Sequence, residues 1–304
     1  MNAWSRVAVL MAGLLVAMPG CSVRRMAVNR VGDALAAGGT AFRSDDDPEL
    51  IRAAAPFSLK LMESLLEEAP RHEGLLLAAA SGFTQYGFAF VQQEADELED
   101  RDLDAAVAMR ERARRLYVRA RGYALRGLEA RHPGFGEALR RRPREAAGMA
   151  EARDVPLLYW AAASWGAAIS LGKDRPDEVA DLPLVEALAD RALELDEDYD
   201  RGAIHGFLIT FETIRQGAEG DSAARSQRHF ERAMELGGGM EAGPLVALAE
   251  AVAQPAQQKG QFEALLKQAL AIDPDRRPES RLANLIHQRR ARWLLGRMDR
   301  LFLE

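Results

Sequence analysis

The chain has 304 residues, 48% of them hydrophobic, which is enough apolar material to bury a sizeable core. Its 40 basic residues against 46 acidic ones leave a formal net charge of −6, which argues against a nucleic-acid binder. A single cysteine excludes any intramolecular disulfide, so the fold must stand on packing alone.

That cysteine comes early in the chain. Arg6 supplies a basic start, Val7 to Met18 an apolar run, and Pro19-Gly20 a small residue before Cys21. This is the anatomy of a secretory signal, residues 1–20, with an apolar run too short to span a bilayer. A cysteine directly after the cut predicts lipidation at Cys21, and several acyl chains anchor where a single one barely holds. Ser22, where Asp would favour retention at the inner membrane, favours the outer membrane facing the periplasm, by resemblance to enterobacterial lipoproteins. The alternative is a plain export signal followed by a chance cysteine. Residues 21–30 then read as a lipidated tether and 31–304 as one domain, since no long flexible linker interrupts them.

The domain reads as all-α. Ala, Leu, Glu and Arg dominate, apolar residues recur at three and four, and no stretch alternates as a strand would. Ser44-Asp45-Asp46-Asp47-Pro48 precedes a helix beginning near Glu49. Further on, Phe83, Tyr86 and Phe90 share one helical face beside Gly82 and Gly87, as core or as the lining of a ligand cleft. From Leu103 the inner face of the next helix reads Leu103, Val107, Ala113, Leu116, Tyr117, Ala120, Tyr123 and Ala124. Arg112, Arg115, Arg119 and Arg126 form a stripe on that helix, either a solvated face or an anion contact, since Arg binds carboxylates in bidentate fashion.

Residues 131–144, rich in Pro, Gly and Arg, predict a loop. A helix from Pro156 to Leu171 carries Tyr159, Trp160 and Trp165 among alanines. Trp160 and Trp165 point about 140° apart on one helix, so one can pack inward while the other faces a cleft or a subunit contact. Helices over Leu184 to Leu195 and Gly202 to Ile214 follow, with polar breaks at Lys173 to Pro183 and Gln216 to Asp221, and Gly237-Gly238-Gly239 reads as a helix C-cap.

Several helices end in similar words: Ala192-Leu193-Glu194-Leu195-Asp196, Ala233-Met234-Glu235-Leu236-Gly237 and Ala269-Leu270-Ala271-Ile272-Asp273 lie 36 to 41 residues apart. That spacing is near the period of a tetratricopeptide repeat and predicts stacked helical hairpins; the alternative is an irregular bundle. Catalysis has little to stand on. His72, His132, His205, His229 and His287 show no i, i+4 metal-ligand spacing, and there is no Gly-rich phosphate loop or nucleophile elbow. The expectation is no enzyme, no metal and no cofactor.

Three segments, LLLAAASGFTQYGFAFVQQE at 75–94, RARRLYVRARGYALRGL at 112–128 and VPLLYWAAASWGAAISL at 155–171, together with 191–211 and 281–295, resemble in order the T-component family of tripartite ATP-independent periplasmic (TRAP) transporters. The resemblance implies a tetratricopeptide-like periplasmic lipoprotein, a homotrimer around a central pore with a cleft in each protomer. It also implies pairing with the substrate-binding P-component and transfer of a ligand. The residues alone leave two functions open. One is a membrane-anchored transport accessory that binds a small apolar or amphipathic ligand, for which the aromatics above are the cleft candidates. The other is a helical scaffold for envelope assembly with no small ligand.

Overall fold

The computed structural model describes residues 19–303, Gln216 apart, and among them every regular element is helical. The expected signal sequence and the side chain of Cys21 lie outside the described residues. The elements run α1 (Pro19–Ala37), α2 (Gly39–Arg43), α3 (Pro48–Glu68), α4 (Glu73–Gly87), a π-helical turn (Phe88–Gln92) leading into α5 (Gln93–Leu98), α6 (Leu103–Arg131), α7 (Phe135–Arg141), α8 (Pro143–Ala147) and α9 (Val155–Leu171). They continue with α10 (Pro176–Val179), α11 (Leu182–Leu195), α12 (Ala203–Phe211), α13 (Ser222–Leu236), α14 (Ala242–Leu248) with a second π-helical turn (Ala249–Ala253), α15 (Lys259–Ala271), α16 (Arg281–Leu295) and α17 (Met298–Leu301). Residues 21–30, expected as a tether, belong to α1, whose later part reaches His72: the Asn29 carbonyl lies 3.3 Å from its Nε2.

Capping fixes several boundaries. Asp47 accepts the Glu49 and Leu50 amides, each at 3.0 Å, and Pro48 takes the first helical position, where a missing N–H costs nothing. The triple glycine closes α13 as expected: the Gly239 amide donates back to the Met234 carbonyl, and Gly238 and Gly239 are left-handed.

Sequential long helices pack antiparallel. Glu73 pairs with Arg131, Phe83 stacks on Tyr123 and Gly87 abuts Tyr117, so one index falls as the other rises between α4 and α6. The same holds for α6 and α9, where Gly127 meets Leu157 and Arg121 lies over Trp165. Gly127 permits this approach: a Cβ there would stand 2.7 Å from a Leu157 methyl. Toward the C-terminus, helices two apart run parallel. The Ala242 amide donates to Asn284 and Arg290 to Glu250, at separations of 42 and 40 residues. Arg201 to Glu241 and Arg277 to the Gly237 carbonyl also span 40. These separations are close to the 36 to 41 residues between the similar helix endings.

The array closes on itself. Arg289 pairs with Glu97 at 2.7 Å, Arg290 with Asp96 at 2.8 Å and Arg297 with Asp100 at 2.8 Å, bringing α16 onto α5. The stretch Glu73–Leu98 is apolar and long enough to cross a membrane by composition alone, but here it packs between α3, α6 and α9.

Two expectations are corrected. Residues 131–144 are largely helical: Gly134, left-handed at φ 88°, turns the chain, Phe135 and Leu139 are buried, and Pro143 opens α8. Prolines and glycines here punctuate short helices rather than a loop. Leu103 and Val107 are not on the inner face but 58% and 55% exposed. The buried stripe of α6 runs Ala106, Ala113, Tyr117, Ala120, Ala124 and Leu128, which at about 100° per residue lies roughly 60–100° away from them.

Candidate functional site

α9 is apolar almost all round and buried on most sides. Its one half-open stripe is Tyr159, Trp160, Ala163 and Ala167, at the spacing of a single helical face. Alanines keep this stripe low, and the two rings at its N-terminal end are half-buried against the main core. Tyr159 meets Trp160 edge-on at 4.9 Å between centroids, and Tyr199 comes against Tyr159 at 5.4 Å.

Tyr199 is placed by a strained corner. Asp200 (φ 41°, ψ 46°) and Arg201 (φ 60°) are both left-handed, followed by Gly202 at φ 90°. Such a conformation at a non-glycine residue costs on the order of 1–3 kcal/mol and persists only where the surroundings impose it. Here ion pairs impose it. Arg43 donates to both Asp200 carboxylate oxygens at 2.7 and 2.8 Å. Arg201 donates to Glu241 and to the Ser280 hydroxyl, each at 3.2 Å. Gly202 favours glycine twice over: its φ of 90° is left-handed, and a Cβ would stand 3.2 Å from the Ala233 Cα.

The chemistry of this face is that of binding. Burial pushes the Tyr199 phenol up to about 12, with Asp200 adding to it. Tyr159 is raised by the same causes, burial first and then Tyr199 and Asp200. Both phenols therefore stay protonated, apolar bodies with a neutral polar tip. Among the described residues no three His, Cys, Asp or Glu side chains gather as a metal site.

The other expected residues scatter. Phe83 is core, stacked on Tyr123 at 5.9 Å beneath Arg119, because its face of α4 is the one that α3 and α6 cover. Phe90 is buried with Ile51 and Ile286, and half-buried Tyr86 leans on it at 5.7 Å. Trp165 points away from Trp160 into a separate groove of about 420 Å³ between α6, α7 and α11, with the Arg121 guanidinium 4.4 Å over its ring. The arginine stripe is exposed and does not converge. Arg115 reaches Glu111, Arg119 reaches Glu63, each at 3.6 Å, Arg126 donates to the Pro70 carbonyl, and Arg112 is also exposed. Sequence reasoning missed Tyr199, Asp200, Arg43 and Arg121. The Asp-Arg-Gly run at 200–202 carried a turn signal, whereas nothing local linked Arg43 to a residue 157 positions away.

The TRAP transporter T-component family model matches residues 44–302. The chain belongs to the TRAP transporter T-component family. A curated relative from Treponema pallidum (strain Nichols), an uncharacterized protein, is 30% identical over 94% of both chains. Family membership makes this T-component an accessory of a transporter, and the family is not one of enzymes. The match begins at Ser44 and takes in the aromatic face of α9 and the strained corner that presents Tyr199.

Proposed function

We propose that the chain is a lipid-anchored periplasmic component of a TRAP transporter that holds a small apolar or amphipathic ligand on the aromatic face of α9 and exchanges it with the P-component. The half-buried Tyr159–Trp160–Tyr199 cluster, beside a corner that spends backbone strain to place Tyr199, supports this reading. In this reading the anchor is Cys21, on the outer membrane, and the working unit is a trimer; the signal anatomy supports the first and the resemblance the second.

Native mass spectrometry of the purified chain tests ligand and stoichiometry together. The expected result is a trimer carrying a ligand that Trp160→Ala and Tyr199→Ala both lose. Trp165→Ala, by contrast, should cost about 3–5 kcal/mol in chemical unfolding, because Trp165 is only 5% exposed and packed in the main core. A ligand-free chain in which Trp160→Ala leaves every association unchanged would favour the scaffold reading instead. Cys21→Ser should release the protein from membranes; a variant still pelleting with them would refute the anchor.

A further inference from the structure

We propose that the groove on the far side of α9 from Trp160 is a separate binding site for an anionic amphiphile, its carboxylate at Arg121 and its apolar tail along Leu125, Leu139 and Leu184.

Three observations carry this. The first is an uncommitted cation. Among the described residues Arg121 makes no hydrogen bond or ion pair within 4 Å, in a helix whose other half-buried arginines are paired: Arg110 with Asp96 and Glu99, Arg114 with Glu111 and Glu178, Arg131 with Asp154. Instead it rests on the Trp165 ring at 4.4 Å. Burial holds its pKa below the usual value, more than Asp181 and Glu178 can offset. A half-buried guanidinium with five donors and no anion in direct contact keeps unfilled hydrogen-bonding capacity.

The second is an orphaned donor. The Trp165 indole N–H is buried without an acceptor, in a side chain that lines the same groove. Buried donors are usually satisfied, and this one lies directly beside the unpaired arginine.

The third is shape and charge. About 420 Å³ lies within the range of roughly 300–1,000 Å³ typical of small-molecule sites. Of the two acids on its wall, Glu129 is spent on the Gly134 and Gly136 amides at 2.7 and 3.0 Å, leaving Asp181 against Arg121, Arg126 and Arg140. A simple inorganic anion would leave the leucines unused, and a neutral lipid would leave Arg121 unpaired. A second hollow, about 470 Å³ between α7 and α8, offers no such opening: Arg141 pairs with Glu137 and Arg142 with Glu145.

Gly122 supplies the decisive variant. It lines the groove, and a Cβ built there meets nothing within 4 Å, so Gly122→Leu starts from open space and projects its side chain into the cavity. The test is calorimetric titration of the full-length chain with decanoate below its micellar concentration, alongside decanol and acetate. Decanoate should bind, with decanol and acetate each at least about tenfold weaker, as expected for losing a charged hydrogen bond or the tail. Arg121→Gln should weaken decanoate about tenfold while leaving decanol unchanged, and Gly122→Leu should abolish binding of both. Failure of decanoate to bind, equal binding of decanol, or undiminished binding to Gly122→Leu would each overturn the site. None of these outcomes bears on the Trp160 face, which lies about 140° around the helix.

Discussion

Two glycines show how much a single backbone position decides. Gly202 sits at φ 90° with the Ala233 Cα 3.2 Å from where a methyl would stand, whereas Gly122 lies in mid-helix with open space before it. Gly202→Ala should therefore destabilise the chain by roughly 1–3 kcal/mol. Gly122→Ala should stabilise it by about 0.5–1 kcal/mol, through helix propensity alone. Urea denaturation of the two variants checks the opposite signs; a Gly202→Ala variant as stable as the parent would mean that the corner relaxes freely and does not impose the position of Tyr199. Residues of this kind explain what the sequence could not reveal. The apolar spacing of Tyr159 and Trp160 was legible because helical periodicity is local. That Asp200 and Arg201 would adopt left-handed conformations was not, because Arg43 enforces it from a distant helix. Arg121 was equally invisible: its neighbours on the arginine-rich helix look the same in sequence, and only its place over Trp165 with no acid in contact distinguishes it.

At the level of elements, the helices themselves were readable, and their ends more so where a capping residue stood, as at Asp47 and Gly237. What failed was the stretch 131–144, where Pro and Gly signal a break equally well in a loop and between two short helices. The register of α6 also failed, because alanines rather than leucines mark its buried stripe. Contacts between elements hold a property that no single helix has. His205 of α12 and His229 of α13 meet Nδ1 to Nδ1 at 2.8 Å, so the pair is comfortable only while at least one ring is neutral. Burial first, then the His205 charge, pushes His229 down to about 4. Burial, then Arg290, does the same to His287 of α16 where it packs on Phe88. Between pH 6.5 and 4 the unfolded chain therefore takes up protons at these positions that the folded chain refuses, and stability must fall as pH drops through that window. The expected outcome is a urea midpoint that declines from pH 7 to 4.5, with a shallower decline in His287→Phe; a midpoint that is flat or rises over the same range would show that these rings are protonated in the native state.

For the whole molecule, the contacts between distant helices bear on whether it unfolds as one unit. Repeat arrays are held by nearest-neighbour interfaces and tend to unfold piecemeal unless their ends are tied. Here α16, near the end of the chain, returns to α5, and the tie is concentrated on one side chain. Arg290 donates to Asp96 of α5 at 2.8 Å and to Glu250 of the second π-helical turn at 2.7 Å, with its guanidinium 4.4 Å from the Trp293 ring. Asp96 is in turn shared with Arg110 of α6, so four segments meet around two largely buried charges. Arg289 with Glu97 and Arg297 with Asp100 flank this centre but are more exposed at one partner or both, where ion pairs contribute little. Replacing Arg290 by Gln keeps the helix and much of the volume but leaves Glu250 without its cation and Asp96 with only Arg110. Losing one partner of a buried charge group typically costs about 3–5 kcal/mol, and the shared Asp96 places this case toward the lower end. The larger effect should be on cooperativity. With the tie cut, residues 242–302 should open without the rest, giving two transitions where the parent gives one, and native-state hydrogen exchange should report lowered protection in α14 to α16 while α4, α6 and α9 keep theirs. If Arg290→Gln instead lowers protection uniformly and unfolds in a single step, the hairpin-to-hairpin contacts alone couple the array, and the closure of α16 on α5 adds stability without being what makes the chain one unit.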